Sequence, residues 1–420
     1  MEKLILEGGY PLHGVVEISG SKNAALPILA ATLLTDEPCR LRNIPKLRDT
    51  LTMIKLLKSL GKKVEFQDNK LNITSNGKSN HVADYKLVST MRGSFCVLGP
   101  LLAKLSKAKV SMPGGCVIGV RPVDLHLKGL KALGAKIDID GGYIYARSKQ
   151  LKGSHIYLGG VFGSSVLATA NVLMAAVLAK GETIIESAAC EPEVEDLSRM
   201  LNAMGAKIKG VGSPRLTITG VKKLSGVNYK VISDRIEAGT YILLGAATKS
   251  DISLKGVEYS HLLALIDVLN DVGVHVYQDG ALLKIKYSQN YKPVSINTYP
   301  FPGFPTDLQA QFMALMAMVE GVSVITDKVY PDRFIHIAEL NRMGANIRRE
   351  GLTAIVQGVK TLRGAPVMAS DLRASAALVI AGLAAKGRTE IHRIYHLERG
   401  YERLDEKLIK LGAKVYREKE

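Results

Sequence analysis

The 420 residues contain no tryptophan, and aromatic side chains make up only 5% of them. Single-strand nucleic-acid binders stack bases on aromatic platforms set among basic residues. No basic run here is interleaved in that way, so no nucleic-acid partner is expected despite a net charge of +17. Cysteine is scarce too. The four thiols, Cys39, Cys96, Cys116 and Cys190, stand 57, 20 and 74 positions apart. None falls in a C-x-x-C or beside histidines at zinc-finger spacing, which points to free thiols in a reducing compartment. His392 and His396 have metal-like spacing but no third ligand near them in the sequence, so no metal is expected. The longest weakly polar run, 166–179, includes Thr169 and Asn171 and is too short to span a bilayer. It reads as a buried helix, and no membrane insertion is expected. The first residues show no charged stretch followed by an apolar one, so no export signal is expected and a cytoplasmic location follows. Walker A, dinucleotide-binding and G-x-S-x-G motifs are also missing.

What is present is a chain too long for one core, for which two domains of about 200 residues are the natural division. Hydrophobic residues at 47% and charged residues at 23% give a soluble globular balance. Lys plus Arg exceed Asp plus Glu by 56 − 39, which fits nucleic acid, an anionic surface or a multiply charged substrate. Lysines such as Lys55, Lys58, Lys62, Lys63, Lys149 and Lys152 lie in amphipathic or turn-like stretches, where a solvated face explains them.

The strongest structural signal is an internal repeat. A helical pattern that ends in glycine and runs into an apolar strand recurs six times, with Gly61, Gly134, Gly205, Gly273, Gly344 and Gly412 spaced 73, 71, 68, 71 and 68 apart. Each glycine stands where a positive φ ends a helix. The apolar i, i+3, i+7 spacing before it leaves one wet face. A second helix recurs with the same period and is apolar nearly all round, over 24–34, 94–105, 166–179, 238–247, 310–319 and 374–385. Helices without a polar face belong inside a domain. Each unit of about 70 residues therefore carries one buried helix, one exposed helix and several strands. A boundary is expected near residue 230. The strand-like first 21 residues are assigned to the second half, which makes that domain discontinuous.

The buried helices begin unusually. Ser89, Asp234 and Asp371 read as ordinary N-caps. Lys22, Arg92, Arg235 and Arg373 stand in first turns, where the positive end of the helix dipole disfavours a cation by about 0.3–1 kcal/mol each. Cations at helix N-termini make an anion site. For Arg235 and Arg373 pairing with Asp234 or Asp371 is the plainer explanation. The stretch Met112-Pro-Gly-Gly-Cys116-Val-Ile-Gly-Val-Arg121-Pro-Val-Asp124-Leu-His126 reads as a loop. A cysteine among glycines there is placed for chemistry, and a thiol of pKa about 8.5 serves as proton donor or nucleophile. Tyr299-Pro-Phe-Pro-Gly-Phe-Pro-Thr-Asp307 delivers Asp307 to a helix start, and His396-Leu-Glu-Arg399-Gly-Tyr-Glu-Arg403 offers a loop arginine.

On these motifs the whole chain resembles the UDP-N-acetylglucosamine 1-carboxyvinyltransferases of the enolpyruvyl transferase family. Gly20-Ser-Lys-Asn-Ala-Ala-Leu26, the cysteine loop, Phe304-Pro-Thr-Asp307, Asp371-Leu-Arg-Ala-Ser375 and Arg399-Gly-Tyr-Glu-Arg403 stand as in that family. The resemblance implies an α/β fold of two inside-out barrels, each made of three repeated units with buried helices surrounded by sheets. The domains would be 22–230, and 1–21 joined with 231–420, with the active site between them. It also implies transfer of an enolpyruvyl group from phosphoenolpyruvate to the 3-hydroxyl of UDP-N-acetylglucosamine, with no cofactor. Lys22, Arg121 and Arg399 would hold phosphoenolpyruvate, with Arg92 on the substrates' charged groups. Asn23 and Asp307 would contact the sugar, Asp307 as base and Cys116 as proton donor. Arg121, Pro122, Val123, Asp124 and Leu125, with Gly163, Ser164, Ser165 and Val166, would line the nucleotide site. Val329, Arg333, Asp371 and Arg373 would support substrate binding. The family usually has arginine at Cys190, and glycine and glutamate at Leu167 and Ala170, so the fine structure of the nucleotide pocket is where this chain departs. The sister reading is transfer to shikimate 3-phosphate; the cysteine loop argues against it.

Overall fold

The computed structural model describes residues 2–113 and 123–420. They fall into two compact units, one built from the chain up to Ser19 and from Ser233 onward, the other from Gly20 to Ile232. Among the described residues each unit holds three four-stranded sheets, and all six share one pattern. An edge strand runs parallel to its neighbour, and the next two strands follow antiparallel. Residues 155–219 show how the sequence produces it. The edge strand His155–Tyr157 leads into the helix Val166–Ala176, which returns to the parallel strand Glu182–Glu186. The helix Pro192–Ala203 and the hairpin strands Lys207–Lys209 and Arg215–Thr219 complete the unit.

The two helix types are as different as their sequences. Residues 168–176 of the first helix are all buried, whereas Pro192–Ala203 keeps exposed positions such as Arg199 and Ala203. The strands alternate, Lys207 and Lys209 outward and Ile208 inward, as a sheet with one wet face must. Buried helices at the centre and sheets around them make the α/β architecture inside-out. In the other unit the helices Arg235–Ala247, Gln309–Met316 and Leu372–Ala384 pack on one another. Small residues such as Ala374, Ala377 and Ala381 allow the approach, and each buried leucine, Leu378 or Leu383, contributes about 1.5–3 kcal/mol. All six repeat glycines have positive φ, from 86° at Gly412 to 102° at Gly61. That backbone region is the one glycine enters without a Cβ clash.

Edge strands are exchanged at the two crossings between units. Gly14–Glu17 precedes the helix Lys22–Ala31 in sequence but pairs with Ile252–Lys255. Val227–Lys230 precedes Arg235–Ala247 but pairs with Cys39–Arg42. The N-terminal strand Glu2–Gly8 pairs with Gly387–His392 and Lys414–Lys419, closing the last sheet with the first residues. One expected cap is corrected. Ser89 ends the short helix Tyr85–Val88, and Met91 precedes the 3₁₀ turn Arg92–Val97 that runs into the helix Leu98–Leu105.

Candidate functional site

In the unit from Gly20 to Ile232, Lys22 opens its helix behind Ser21, whose Oγ accepts from the Ala24 amide at 3.3 Å. Lys22 Nζ lies 3.4 Å from Asp49 Oδ2, and the two side chains are 12% and 6% exposed. Asp49 sits in the first turn of Arg48–Ser59, where the helix dipole favours a carboxylate. The cation that the dipole disfavours at Lys22 is thus held by an anion that another dipole stabilises. Asn23 beside it is half-buried, as is Arg92 at the first position of its 3₁₀ turn.

The expected nucleotide residues start two further helices. Buried Val123 leads into Asp124–Ala132, with Asp124 exposed and Leu125 half-buried. Gly160 and Gly163 exchange amide–carbonyl hydrogen bonds of 2.9 and 3.1 Å, and Gly163 has φ +89°. A Cβ at Gly160 would stand 3.1 Å from Leu125 Cδ1, so this turn packs against the start of the other helix. The structure therefore sets Leu125 against the turn that closes on Gly163. Ser165 caps Val166–Ala176 by accepting from the Ala168 amide at 3.3 Å, with Ser164 and Val166 half-buried beside it. Of the departing positions, Leu167 is half-buried and packs on the core, and Ala170 is fully buried. Cys190 is half-buried, and burial, then Glu191, push its thiol up. Cys116, Arg121 and Pro122 lie outside the described residues.

In the other unit the geometry centres on Asp307, in the 3₁₀ turn Thr306–Leu308 ahead of Gln309–Met316. Arg333 Nη1 donates to Asp307 Oδ1 at 2.7 Å and Arg373 Nη2 to Oδ2 at 2.9 Å. Arg373 is 1% exposed and Arg333 5%. The pairing of Arg373 with Asp371 is thereby corrected. Asp371 instead caps Leu372–Ala384, accepting from the Arg373 and Ala374 amides at 2.8 and 3.2 Å. The reason is reach: a cap carboxylate is spent on amides at its own helix start, and the long arginine extends to a neighbouring helix. Burial opposes the charge of Arg373, but Asp307 and then Tyr401 and Asp234 hold its proton affinity above the ordinary arginine value. Asp234 caps Arg235–Ala247 as expected, and the Arg235 guanidinium lies 5.5 Å from the Phe301 ring centroid.

Three supports were not read from the sequence. Buried Tyr401 binds Arg373 Nη1 at 3.2 Å, Thr240 Oγ1 at 2.9 Å and Gln311 Nε2 at 3.2 Å. It stands two residues after half-buried Arg399, so it anchors the loop that carries that arginine; its place in the Arg-Gly-Tyr motif was the available signal. Buried Asp327 accepts from the Val329 and Tyr330 amides, at 3.0 and 2.7 Å. It also accepts from Thr298 and Thr306 hydroxyls, both at 2.7 Å, which fixes Val329 relative to the neighbour of Asp307. Asp49 is the third, with no sequence signal beyond its helix start. Among the described residues no group of three or more ligating side chains could hold a metal, and no helix is long and apolar enough to cross a membrane. His392 Nδ1 lies 2.7 Å from Glu420 Oε1, and the His396 ring lies against Tyr395.

Residues 6–408 match the profile of a family described as EPSP synthase (3-phosphoshikimate 1-carboxyvinyltransferase). Relatives of similar length are nearer. UDP-N-acetylglucosamine 1-carboxyvinyltransferase 2 of Carboxydothermus hydrogenoformans is 53% identical over 420 residues, 99% of each chain. UDP-N-acetylglucosamine 1-carboxyvinyltransferase of Lawsonia intracellularis is 52% identical over 420 residues, 100% of each. Among solved structures, the enolpyruvyl transferase NikO from Streptomyces tendae superposes with a TM-score of 0.90 at 24% identity, covering 99% of this chain and 98% of that one. An EPSP synthase from Acinetobacter baumannii gives 0.76 at 21% identity, covering 100% of both. At these identities the solved structures speak to the fold.

Proposed function

The chain belongs to the UDP-N-acetylglucosamine 1-carboxyvinyltransferases of the enolpyruvyl transferase family, and from that premise we propose how its own residues divide the work. The enzyme transfers the enolpyruvyl group of phosphoenolpyruvate to the 3-hydroxyl of UDP-N-acetylglucosamine and releases phosphate, the first committed step of peptidoglycan synthesis. The observation that carries this acceptor is the 53% identity over the full length, against 21% to the shikimate-pathway structure. The reducing setting suggested by three free thiols, Cys39, Cys96 and Cys190, supports a cytoplasmic location.

On this reading Lys22, Arg121 and Arg399 bind the phosphate and carboxylate of phosphoenolpyruvate, and Arg92 meets the charged groups of both substrates. Cys116 gives a proton to the methylene carbon, leaving a cationic carbon beside the carboxylate. The sugar 3-hydroxyl adds there and its proton passes to Asp307. Phosphate then leaves the tetrahedral ketal while the new methyl group returns a proton to the Cys116 thiolate, which restores the double bond and the thiol, and the proton on Asp307 passes to the departing phosphate. Arg333 and Arg373 each occupy one oxygen of Asp307. The clamp fixes the direction of Asp307, and the hydroxyl becomes acidic as its oxygen bonds to the cationic carbon. Positioned cations and a preset carboxylate supply orientation and charge stabilisation. Val123 to Leu125 and Gly163 to Val166 bind the nucleotide, with Asn23 on the sugar. The test is phosphate release from phosphoenolpyruvate with UDP-N-acetylglucosamine, with shikimate 3-phosphate and with neither. Release with the sugar nucleotide alone is expected; release with shikimate 3-phosphate would overturn the acceptor.

A further inference from the structure

Three helix starts of the Gly20–Ile232 unit meet at one buried amide. Asn171 is fully buried in the helix Val166–Ala176. Its Oδ1 accepts from the Gly99 amide, and its Nδ2 donates to the Phe95 carbonyl at 3.0 Å. The same Nδ2 lies 3.1 Å from His126 Nδ1. The partners fix the orientation: the Gly99 amide can only donate and the Phe95 carbonyl can only accept, so the second amide hydrogen points at His126. His126 Nδ1 is then the acceptor and the ring proton sits on Nε2. The ring is 3% exposed, meets the Phe95 ring edge-on at 5.0 Å, and is kept neutral by burial and then by Arg92.

Each link ends one or a few residues from a group assigned to substrate. Phe95 is three residues after Arg92 in the same 3₁₀ turn. His126 follows Asp124 and Leu125 in the first turn of its helix. Asn171 lies on the helix that Ser165 caps. We propose that Asn171 is a positioning residue for the sugar-nucleotide site, setting Asp124 and Leu125 through His126, and Arg92 through Phe95 and Gly99. The proposal rests on the substrate assignments above and adds the element that holds them in register. An unpaired buried amide or imidazole costs more than the bond it made contributes, so each link holds its neighbour to one position.

Four variants test it. His126→Leu removes the first link, and the Michaelis constant for UDP-N-acetylglucosamine should rise about tenfold, the loss of one buried hydrogen bond, while that for phosphoenolpyruvate and kcat stay within about twofold. His126→Asn, whose side chain can present an acceptor near the Nδ1 position, should restore most of the loss. Leu173→Ala, a core truncation on the same helix, should lower the melting temperature and leave both constants in place. Nitrogen NMR of the labelled wild-type ring should show a bare Nδ1 and a protonated Nε2 at neutral pH. In Asn171→Asp the carboxylate should draw a proton to Nδ1. Equal rises in both constants with His126→Leu, or the same rise with Leu173→Ala, would overturn the positioning role, as would a wild-type ring protonated on Nδ1. Wild-type enzyme that releases no phosphate with the sugar nucleotide would instead sink the substrate reading, and the NMR result would stand apart from it.

Discussion

Acid should destabilise each unit through one buried histidine, and the size of the effect follows from burial. His126 is depressed to about 3 by burial and then Arg92; His336 falls to about 4, burial first and Arg333 after it, with Asp371 opposing. The unfolded chain takes up the proton near pH 6.5, so between there and the folded value it binds more protons than the native state. Stability is then complete above pH 6.5 and lost as the pH falls. At pH 5 both folded rings are still neutral, so each loss is about 1.5 pH units at 1.36 kcal/mol, or about 2 kcal/mol relative to pH 7.5. Asp196 works the other way. Burial, with Glu193 adding, raises its carboxyl to about 6 against hydrogen bonds from Tyr229 and the Ile232 amide. The folded state therefore gains the proton first, and acidification to pH 5 returns about 1 kcal/mol to the unit that holds His126. The assay is urea unfolding at pH 7.5 and 5.0 with pulsed hydrogen exchange, reading peptides of Val166–Ala176 and Arg235–Ala247 separately. His126→Leu should flatten the pH dependence of the first by about 2 kcal/mol and leave the second alone, and His336→Leu should do the converse. Asp196→Asn should steepen the first by about 1 kcal/mol. Variant curves that run parallel to wild type would refute the reasoning, because a lost packing contact shifts a curve without changing its slope.

Fosfomycin should inactivate the enzyme with time and leave one adduct on the peptide carrying Cys116, read by intact and peptide mass; an unchanged mass after prolonged treatment with UDP-N-acetylglucosamine present would remove Cys116 from the chemistry. Asp307→Asn should keep the arginines' positions with one oxygen fewer to accept, and lower kcat by about 10²–10⁴ with smaller changes in either Michaelis constant; a kcat within threefold of wild type would remove Asp307 as base. Leu167 packs on the core, so Leu167→Gly should cost about 2–3 kcal/mol from lost burial and glycine in a helix. Its Michaelis constant for UDP-N-acetylglucosamine should not move; a fall in that constant without a change in melting temperature would show that the side chain points into the pocket.

The repeat was legible because its signals are local. A glycine such as Gly205 ends a helix by its own backbone, and a helix such as 166–176 shows its burial by lacking a polar face. Lys22 and Arg373 stood out because a cation in a first turn is unfavourable unless something answers it. What answers it could not be read. Asp49 lies 27 residues from Lys22 and Asp307 lies 66 from Arg373, on other helices, so the nearest acid in sequence, Asp371, took the place of the nearest in space. Ser89 misled for a related reason: a serine three residues before an arginine looks like a cap, but a separate short helix ends there. Exchange of the edge strands Gly14–Glu17 and Val227–Lys230 is likewise a pairing choice that no local pattern records.

One fold unit repeated six times does not carry six similar sites, because its helix starts bear lysine, arginine, serine and aspartate in different copies. The buried helices open on Lys22, Arg92, Ser165, Arg235, Asp307 and Arg373 or their immediate neighbours. The reason these positions are free to diverge is topological. In four of the six units a strand passes through a buried helix to a parallel neighbour, and in the other two the edge strand is exchanged, but every buried helix presents unpaired amides and its positive dipole end at its start. The helix body has no such freedom, because residues like Ala170 and Ala377 are enclosed on all sides. Substitution at the first turn changes chemistry at little expense to packing, whereas substitution one turn later changes packing itself. Asn171 lies between these regimes, a polar group inside the body whose three bonds run back to the starts.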